Sequence, residues 1–267
     1  MKTAFATSAD GLSIAYETCG TRMPALVFVH GWSCDRESWS AQLSSLSDRH
    51  LVIALDLAGH GQSAAARRDW SIAAFADDVA AVVRAVSPAH AILIGHSMGA
   101  DVVLRAWRLL RERVRGLIWV DQYSGLDEFM DETAVSTKVA PFKADFFNTT
   151  QAFVRCLFSA SADPALIERI AAKMSSTPEQ IAVAALAATW NHGRSVSTLL
   201  SEVTVPVVAI NAERVRTDAE SMRRHGVDTV LMPDVGHFPM LERPEEFNSC
   251  LTYVLQRFVR ERCCGDA

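Results

Sequence analysis

Gly95-His96-Ser97-Met98-Gly99 sets a serine in a G-x-S-x-G frame. The chemistry such a frame serves is nucleophilic attack: the serine sits on a sharp strand-to-helix turn, its backbone strained and its hydroxyl exposed. Glycines flank it because a side chain there would clash with the neighbouring strand or helix. A serine at this point could also be an ordinary helix N-cap. The surroundings favour the nucleophile. Ala91-Ile92-Leu93-Ile94 before it is short and apolar, as a buried strand is, and Ala100 to Leu110 after it carries apolar residues at helical spacing. A helix starting at the serine also aims backbone N–H groups and a positive dipole end at any oxyanion formed beside it.

The rest of the chain must hold that turn. Apolar runs alternate with helical patterns, which predicts βαβ units on a mostly parallel sheet. Leu12 to Glu17 alternates like a half-exposed strand, while Ala25 to His30 and Leu51 to Asp56 read as fully buried strands. Ile72 to Val86 is predicted helical, with Ile72, Phe75, Ala76, Val79, Val82, Val83 and Val86 on one face. Arg115 to Val120, Val205 to Ile210 and Asp228 to Met232 supply further strands, and Glu245 to Val259 a closing helix. Pro206 is compatible with a strand start, where not every N–H is needed. Between Asp121 and Val205 the alternation stops. That stretch holds helical pieces rich in Phe146, Phe147, Phe153 and the Ala182 to Trp190 run. We read about 122–204 as a helical cap inserted in a single domain spanning 1–267, because insertions at strand ends cover binding sites.

Composition narrows the function. The 267 residues are enough for one large core, with 49% hydrophobic and 21% charged residues. A formal net charge of −5 offers no basic surface for nucleic acid or anionic lipid. No apolar run is long enough to span a bilayer, and Met1 to Asp10 lacks the apolar core of a signal peptide. The six cysteines, Cys19, Cys34, Cys156, Cys250, Cys263 and Cys264, show no metal-ligand spacing; they read as reduced thiols, so no metal and a cytoplasmic location are expected. Gly59-His60-Gly61 lacks the third glycine of a dinucleotide loop.

Taken together, His30-Gly31-Trp32 after one buried strand, Asp56-Leu57-Ala58-Gly59-His60-Gly61-Gln62-Ser63 after the next, the Ser97 turn and Val235-Gly236-His237-Phe238-Pro239 resemble the α/β-hydrolase fold superfamily over nearly the whole chain. The resemblance implies a Ser-His-acid triad with Ser97 as nucleophile and His237 as base, since a serine hydroxyl needs a base to take its proton. Of the eight histidines, His30 and His60 belong to site-shaping loops, His96 points off the turn, and His50, His90 and His225 read as surface or element-end residues. His192, in the insertion, is a candidate pocket residue or a solvated one. The acid usually follows the penultimate strand, but there the chain reads Asn211-Ala212-Glu213-Arg214-Val215, with Val215 where an aspartate is expected. Some relatives carry it at the end of the strand after the serine helix, which here places Asp121; Glu213 is the alternative. The backbone N–H groups of Met98 and Trp32 would form the oxyanion hole, and Trp32, Trp190, Phe238 and His192 would line the substrate pocket.

The expected partner is therefore a small or medium apolar ester or lactone, cleaved through an acyl-enzyme without a cofactor. Two other readings stand beside it. A cofactor-free dioxygenase of the same fold would use the histidine and Asp121 to deprotonate a heteroaromatic substrate. That group carries a second histidine after the position of Trp32, where this chain has Ser33-Cys34-Asp35. A non-catalytic small-ligand receptor would keep the scaffold alone.

Overall fold

Aliphatic and β-branched runs make the centre of the sheet and amphipathic helices cover it. The computed structural model describes residues 2–213 and 217–260. Eight strands, β1 (Ala4–Thr7), β2 (Ser13–Cys19), β3 (Ala25–Val29), β4 (Val52–Leu55), β5 (Ala91–His96), β6 (Val114–Val120), β7 (Val207–Ala212) and β8 (Val227–Met232), form one sheet in the order β1-β2-β4-β3-β5-β6-β7-β8. β1 and β2 run antiparallel at one edge; the other six strands are parallel. Every residue of β3, β4, β5 and β7 is buried, as expected for strands covered on both faces.

Register decides what meets at the strand ends. Gly95 and His96 of β5 lie opposite Trp119 and Val120 of β6, and Val120 lies opposite Ile210 of β7. Hydrogen bonds continue one residue past the strands: the Ser97 N–H donates to the Val120 carbonyl and the Asp121 N–H to the Ile210 carbonyl, both at 3.0 Å. Ser97 and Asp121 thus leave the sheet on adjacent strands at its carboxyl edge, where parallel sheets place their sites.

The helices are α1 (Ser40–Leu46), α2 (Ile72–Val86), α3 (Met98–Leu109), α4 (Glu132–Ala144), α5 (Phe146–Arg155), α6 (Pro164–Ser175), α7 (Glu179–Leu200), α8 (Ala219–Arg224), α9 (Pro239–Glu242) and α10 (Pro244–Arg260). α2 has the predicted bounds: Ser71 caps it by accepting from the Ala74 N–H at 3.2 Å, and Ser87 ends it in a left-handed turn. α4 to α7 occupy the stretch between β6 and β7. β7 starts at Val207 rather than Val205, just past Pro206, whose carbonyl still accepts from the Leu117 N–H at 3.0 Å. Among the described residues no helix is long and apolar enough to cross a membrane.

β1, α1 and α8 have no counterpart in the sequence reading. Four residues are too few to show alternation, and the serines of α1 are weak helix formers, held here by the burial of Leu43 and Leu46. Val215, Cys263 and Cys264 lie outside the described residues.

Candidate active site

Ser97 is the N-cap of α3, with φ 50° and ψ −124°. A left-handed backbone at a non-glycine residue is strained and persists only where its surroundings impose it. Here the flanking glycines let two elements close around it. A Cβ on Gly99 would stand 2.5 Å from the Val29 carbonyl oxygen of β3, and one on Gly95 would overlap the Gly99 carbonyl. The turn holds Ser97 partly exposed, on the wall of a cavity of about 410 Å³.

Asp121 has the same unusual backbone, with φ 48°. One of its carboxylate oxygens accepts the Ala212 N–H at 2.8 Å, and the other lies 2.7 Å from Nδ1 of His237. Burial pushes the Asp121 pKa up, but the hydrogen bond and charge of His237 and the Ala212 N–H outweigh it, leaving it below the ordinary carboxylate value. A carboxylate facing Nδ1 fixes the proton there, so Nε2 keeps its lone pair. His237 and Ser97 line the same cavity. Glu213 is exposed past the end of β7.

The loop that carries His237 is fixed from three sides. Its own N–H donates to the Leu157 carbonyl at 2.8 Å. The Glu242 carboxylate accepts from the N–H groups of Gly236 at 3.0 Å, Phe238 at 3.3 Å and Ser159 at 3.1 Å. His96, from inside the sheet, donates Nε2–H to the His237 carbonyl at 2.7 Å. Burial, with the neighbouring His237 charge, drives the His96 pKa down to about 3, so this ring is a neutral strut. Neither His96 nor Glu242 is marked as a site residue by the sequence; a carboxylate six residues beyond a glycine has no periodicity to betray it.

His30 joins the remaining loops. Its Nδ1–H donates to the Gly31 carbonyl at 2.8 Å and its Nε2 accepts the Leu57 N–H at 3.0 Å, while burial lowers its pKa to about 4. That positions the Gly31-Trp32 backbone beside the Ser97 turn: a Cβ on Gly31 would lie 3.2 Å from that of Ser97. The Trp32 indole N–H donates to the Ala182 carbonyl of α7 at 2.7 Å, and its ring meets Phe142 and Phe153 edge-on. Trp32, Trp190 and Phe238 line the cavity, together with Phe129, Phe153, Leu157 and Leu186. His192 does not: it is buried behind the wall, 3.2 Å from Asp101 and within reach of the Arg105 guanidinium at 3.4 Å. Helical phase accounts for this, since Thr189, Trp190 and Gly193 face the cavity and position 192 falls on the flank toward α3.

The sequence profile described as the alpha/beta hydrolase family matches residues 26–249. The chain belongs to the alpha/beta hydrolase family. It is 28% identical over 258 residues to the pimeloyl-[acyl-carrier protein] methyl ester esterase of Nitrosomonas europaea, covering 89% of this chain and 98% of that one. Among solved structures it is similar to a thermophilic esterase from Thermogutta terrifontis, at 24% identity and a TM-score of 0.83, covering 97% of this chain and 99% of the other. It is also similar to Est816, described as an N-acyl homoserine lactone degrading enzyme, at 26% identity and a TM-score of 0.79, covering 93% and 99%.

Proposed function

We propose that this chain is a serine hydrolase of carboxylic esters or lactones, acting through an acyl-enzyme on Ser97. The observation that carries the reading is the 2.7 Å contact between the buried Asp121 carboxylate and Nδ1 of His237, a residue that lines the same cavity as Ser97. In this reading His237 Nε2 takes the hydroxyl proton as Ser97 attacks the carbonyl carbon, and Asp121 stabilises the imidazolium. The N–H groups of Met98, at the positive end of α3, and of Trp32 receive the oxyanion. His237 then gives its proton to the leaving alcohol; water, deprotonated by His237, attacks the acyl carbon, and the Ser97 C–O bond breaks as His237 returns the proton to Oγ, releasing the carboxylic acid. The helices α4 to α7 act as a cap, and a cavity of about 410 Å³ with aromatic walls suits a small or medium acyl or alcohol group. The esterase and lactone-degrading relatives support the substrate class.

The dioxygenase reading shares the His237–Asp121 pair, but the positions of its second histidine are occupied otherwise. Ser33 and Cys34 are buried, and Asp35 takes Lys173 of α6 at 2.5 Å. A fluorophosphonate probe should label Ser97 covalently and fail on Ser97→Ala. Turnover of p-nitrophenyl esters that survives Ser97→Ala would refute the acyl-enzyme, and an unlabelled, inactive native protein would point to the receptor reading.

A further inference from the structure

The cavity has a polar side that the hydrolytic machinery does not use. Gln122, Tyr123 and Thr189 line it. Gln122 and Tyr123 turn toward Asp101, which sits one helical turn beyond Ser97 on α3 and is wholly buried. Asp101 accepts the Tyr123 hydroxyl on one carboxylate oxygen and a Gln122 amide N–H on the other, at 2.9 Å. His192 closes the group. Its Nε2 receives the Arg105 Nε–H at 3.4 Å, and its Nδ1 stands 3.2 Å from Asp101 without completing a hydrogen bond. Thr189 donates its hydroxyl proton to the Ala185 carbonyl at 2.9 Å.

The directions of these bonds set the polarity of the wall. A carboxylate only accepts, so it turns its neighbours to give up protons toward it. The Tyr123 and Thr189 hydroxyl protons and one of the two Gln122 amide protons are committed to the protein. What the hydroxyls have left to offer is lone pairs, and Gln122 keeps its carbonyl oxygen as a third acceptor beside one amide N–H. Burial, with the Asp101 charge adding to it, raises the Tyr123 pKa well above the ordinary phenol value, so that proton stays in place. Glu128 and Lys138 also line the cavity; both are exposed and of opposite sign, and Lys138 rests over the Trp190 ring at 4.9 Å.

We propose that this cavity selects ligands carrying a hydrogen-bond donor, a hydroxyl or an N–H, which meets an acceptor wall of Tyr123, Thr189 and Gln122 oriented by buried Asp101. Resting on the hydrolase reading, the substrate class is then an ester or lactone with a hydroxyl on its acyl part, opposite the aromatic walls. An analogue without the donor would leave buried acceptors unpaired and bind more weakly.

The test compares p-nitrophenyl esters of a hydroxyacyl, a methoxyacyl and an unsubstituted acyl group of equal chain length. The methoxy ester keeps the oxygen and lacks the donor. Wild type should prefer the hydroxy over the methoxy ester in kcat/KM by roughly tenfold. Tyr123→Phe and, separately, Thr189→Val should each reduce that ratio. Asp101→Asn, which offers the wall an N–H in place of a carboxylate oxygen, should collapse it; a merely structural loss would lower all three esters alike. Equal use of the two oxygenated esters by wild type, preference for the methoxy ester, or a ratio unchanged in Tyr123→Phe and Thr189→Val would overturn the proposal. A binding arm separates this from the hydrolase reading. Binding of the hydroxy and methoxy free acids to Ser97→Ala, followed by tryptophan fluorescence, should show the same preference. Ester turnover surviving in Ser97→Ala would sink the acyl-enzyme while leaving the binding ratio to decide the acceptor wall.

Discussion

Two carboxylates compete to serve His237: Asp121, 2.7 Å from its Nδ1, and Glu213, exposed past the end of β7. Asp121→Asn keeps the shape but can present an N–H to the imidazole, favouring the wrong tautomer. Its kcat should fall by on the order of 10³–10⁴. Glu213→Gln, at an exposed site beyond β7, should stay within about twofold of wild type, as surface changes away from such features do. Stopped-flow or steady-state turnover on the best p-nitrophenyl ester decides between them, and the reverse ranking would refute the assignment. His96 makes a second test. His96→Phe keeps a ring but strips the donor from the His237 carbonyl, a loss of about 1–3 kcal/mol in urea denaturation. Because the strut holds the proposed base, kcat should drop by more than KM rises, although His96 also lines the cavity. Ser97, His237 and Asp121 can be singled out as candidates in the sequence because each occupies a fixed place relative to a strand. The struts were not visible. His96, Glu242 and Asp101 act through contacts spanning 141, 83 and 21 residues of chain, to His237, Ser159 and Gln122 respectively, and no local pattern encodes such pairs. The turn of His192 away from the cavity had a local cause, the phase of α7, that could be read only once the cavity-facing side of that helix was known.

At the element scale the β5–α3 junction is the least tolerant part of the fold. Gly99 lets α3 press against the backbone of β3, with the His30 carbonyl oxygen 2.7 Å from any Cβ placed there. Backbone atoms cannot move aside as a flexible side chain would. Gly99→Ala should therefore cost about 3 kcal/mol or more, the upper end for an overpacked core, read as a lower urea midpoint at constant m. By contrast, Glu37→Gln removes a solvated ion pair to Lys173 of α6, the Glu37 side chain being 76% exposed. It should change stability by no more than about 1 kcal/mol. The buried strands and α2 were legible because unbroken aliphatic runs and a one-sided apolar stripe survive any tertiary arrangement. The short edge strand β1 and the serine-rich α1 were not, because packing alone stabilises them.

Across the whole molecule three histidines are held neutral in the interior. Burial lowers the pKa of His30 to about 4 and of His60 and His96 to about 3, from a reference of 6.5. In the unfolded chain all three take up protons near pH 6.5, while the native state refuses them until pH 3–4. The unfolded state thus binds more protons across that window, so stability must fall as the pH drops through it. Asp56 and Asp78, whose pKa values burial raises, accept protons first in the native state and offset part of the slope toward its acid end. Urea unfolding between pH 7 and 4.5 should show the midpoint falling steadily, with a proton uptake approaching three; a flat profile would contradict the burial of these rings as neutral groups. Asp121 follows β6 directly, ahead of α4 to α7. Ser97, Asp121 and the Trp32 loop all precede the inserted helices, and His237 alone follows them. On the proposed triad, a chain severed in the short turn between α5 and α6, around residues 159–162, would yield one fragment with the proposed nucleophile and acid but no base, and a second with the proposed base alone. Neither could turn over an ester, and co-expressed halves would become active only by reassembling, making the protein a candidate reporter for the association of two partners fused to them.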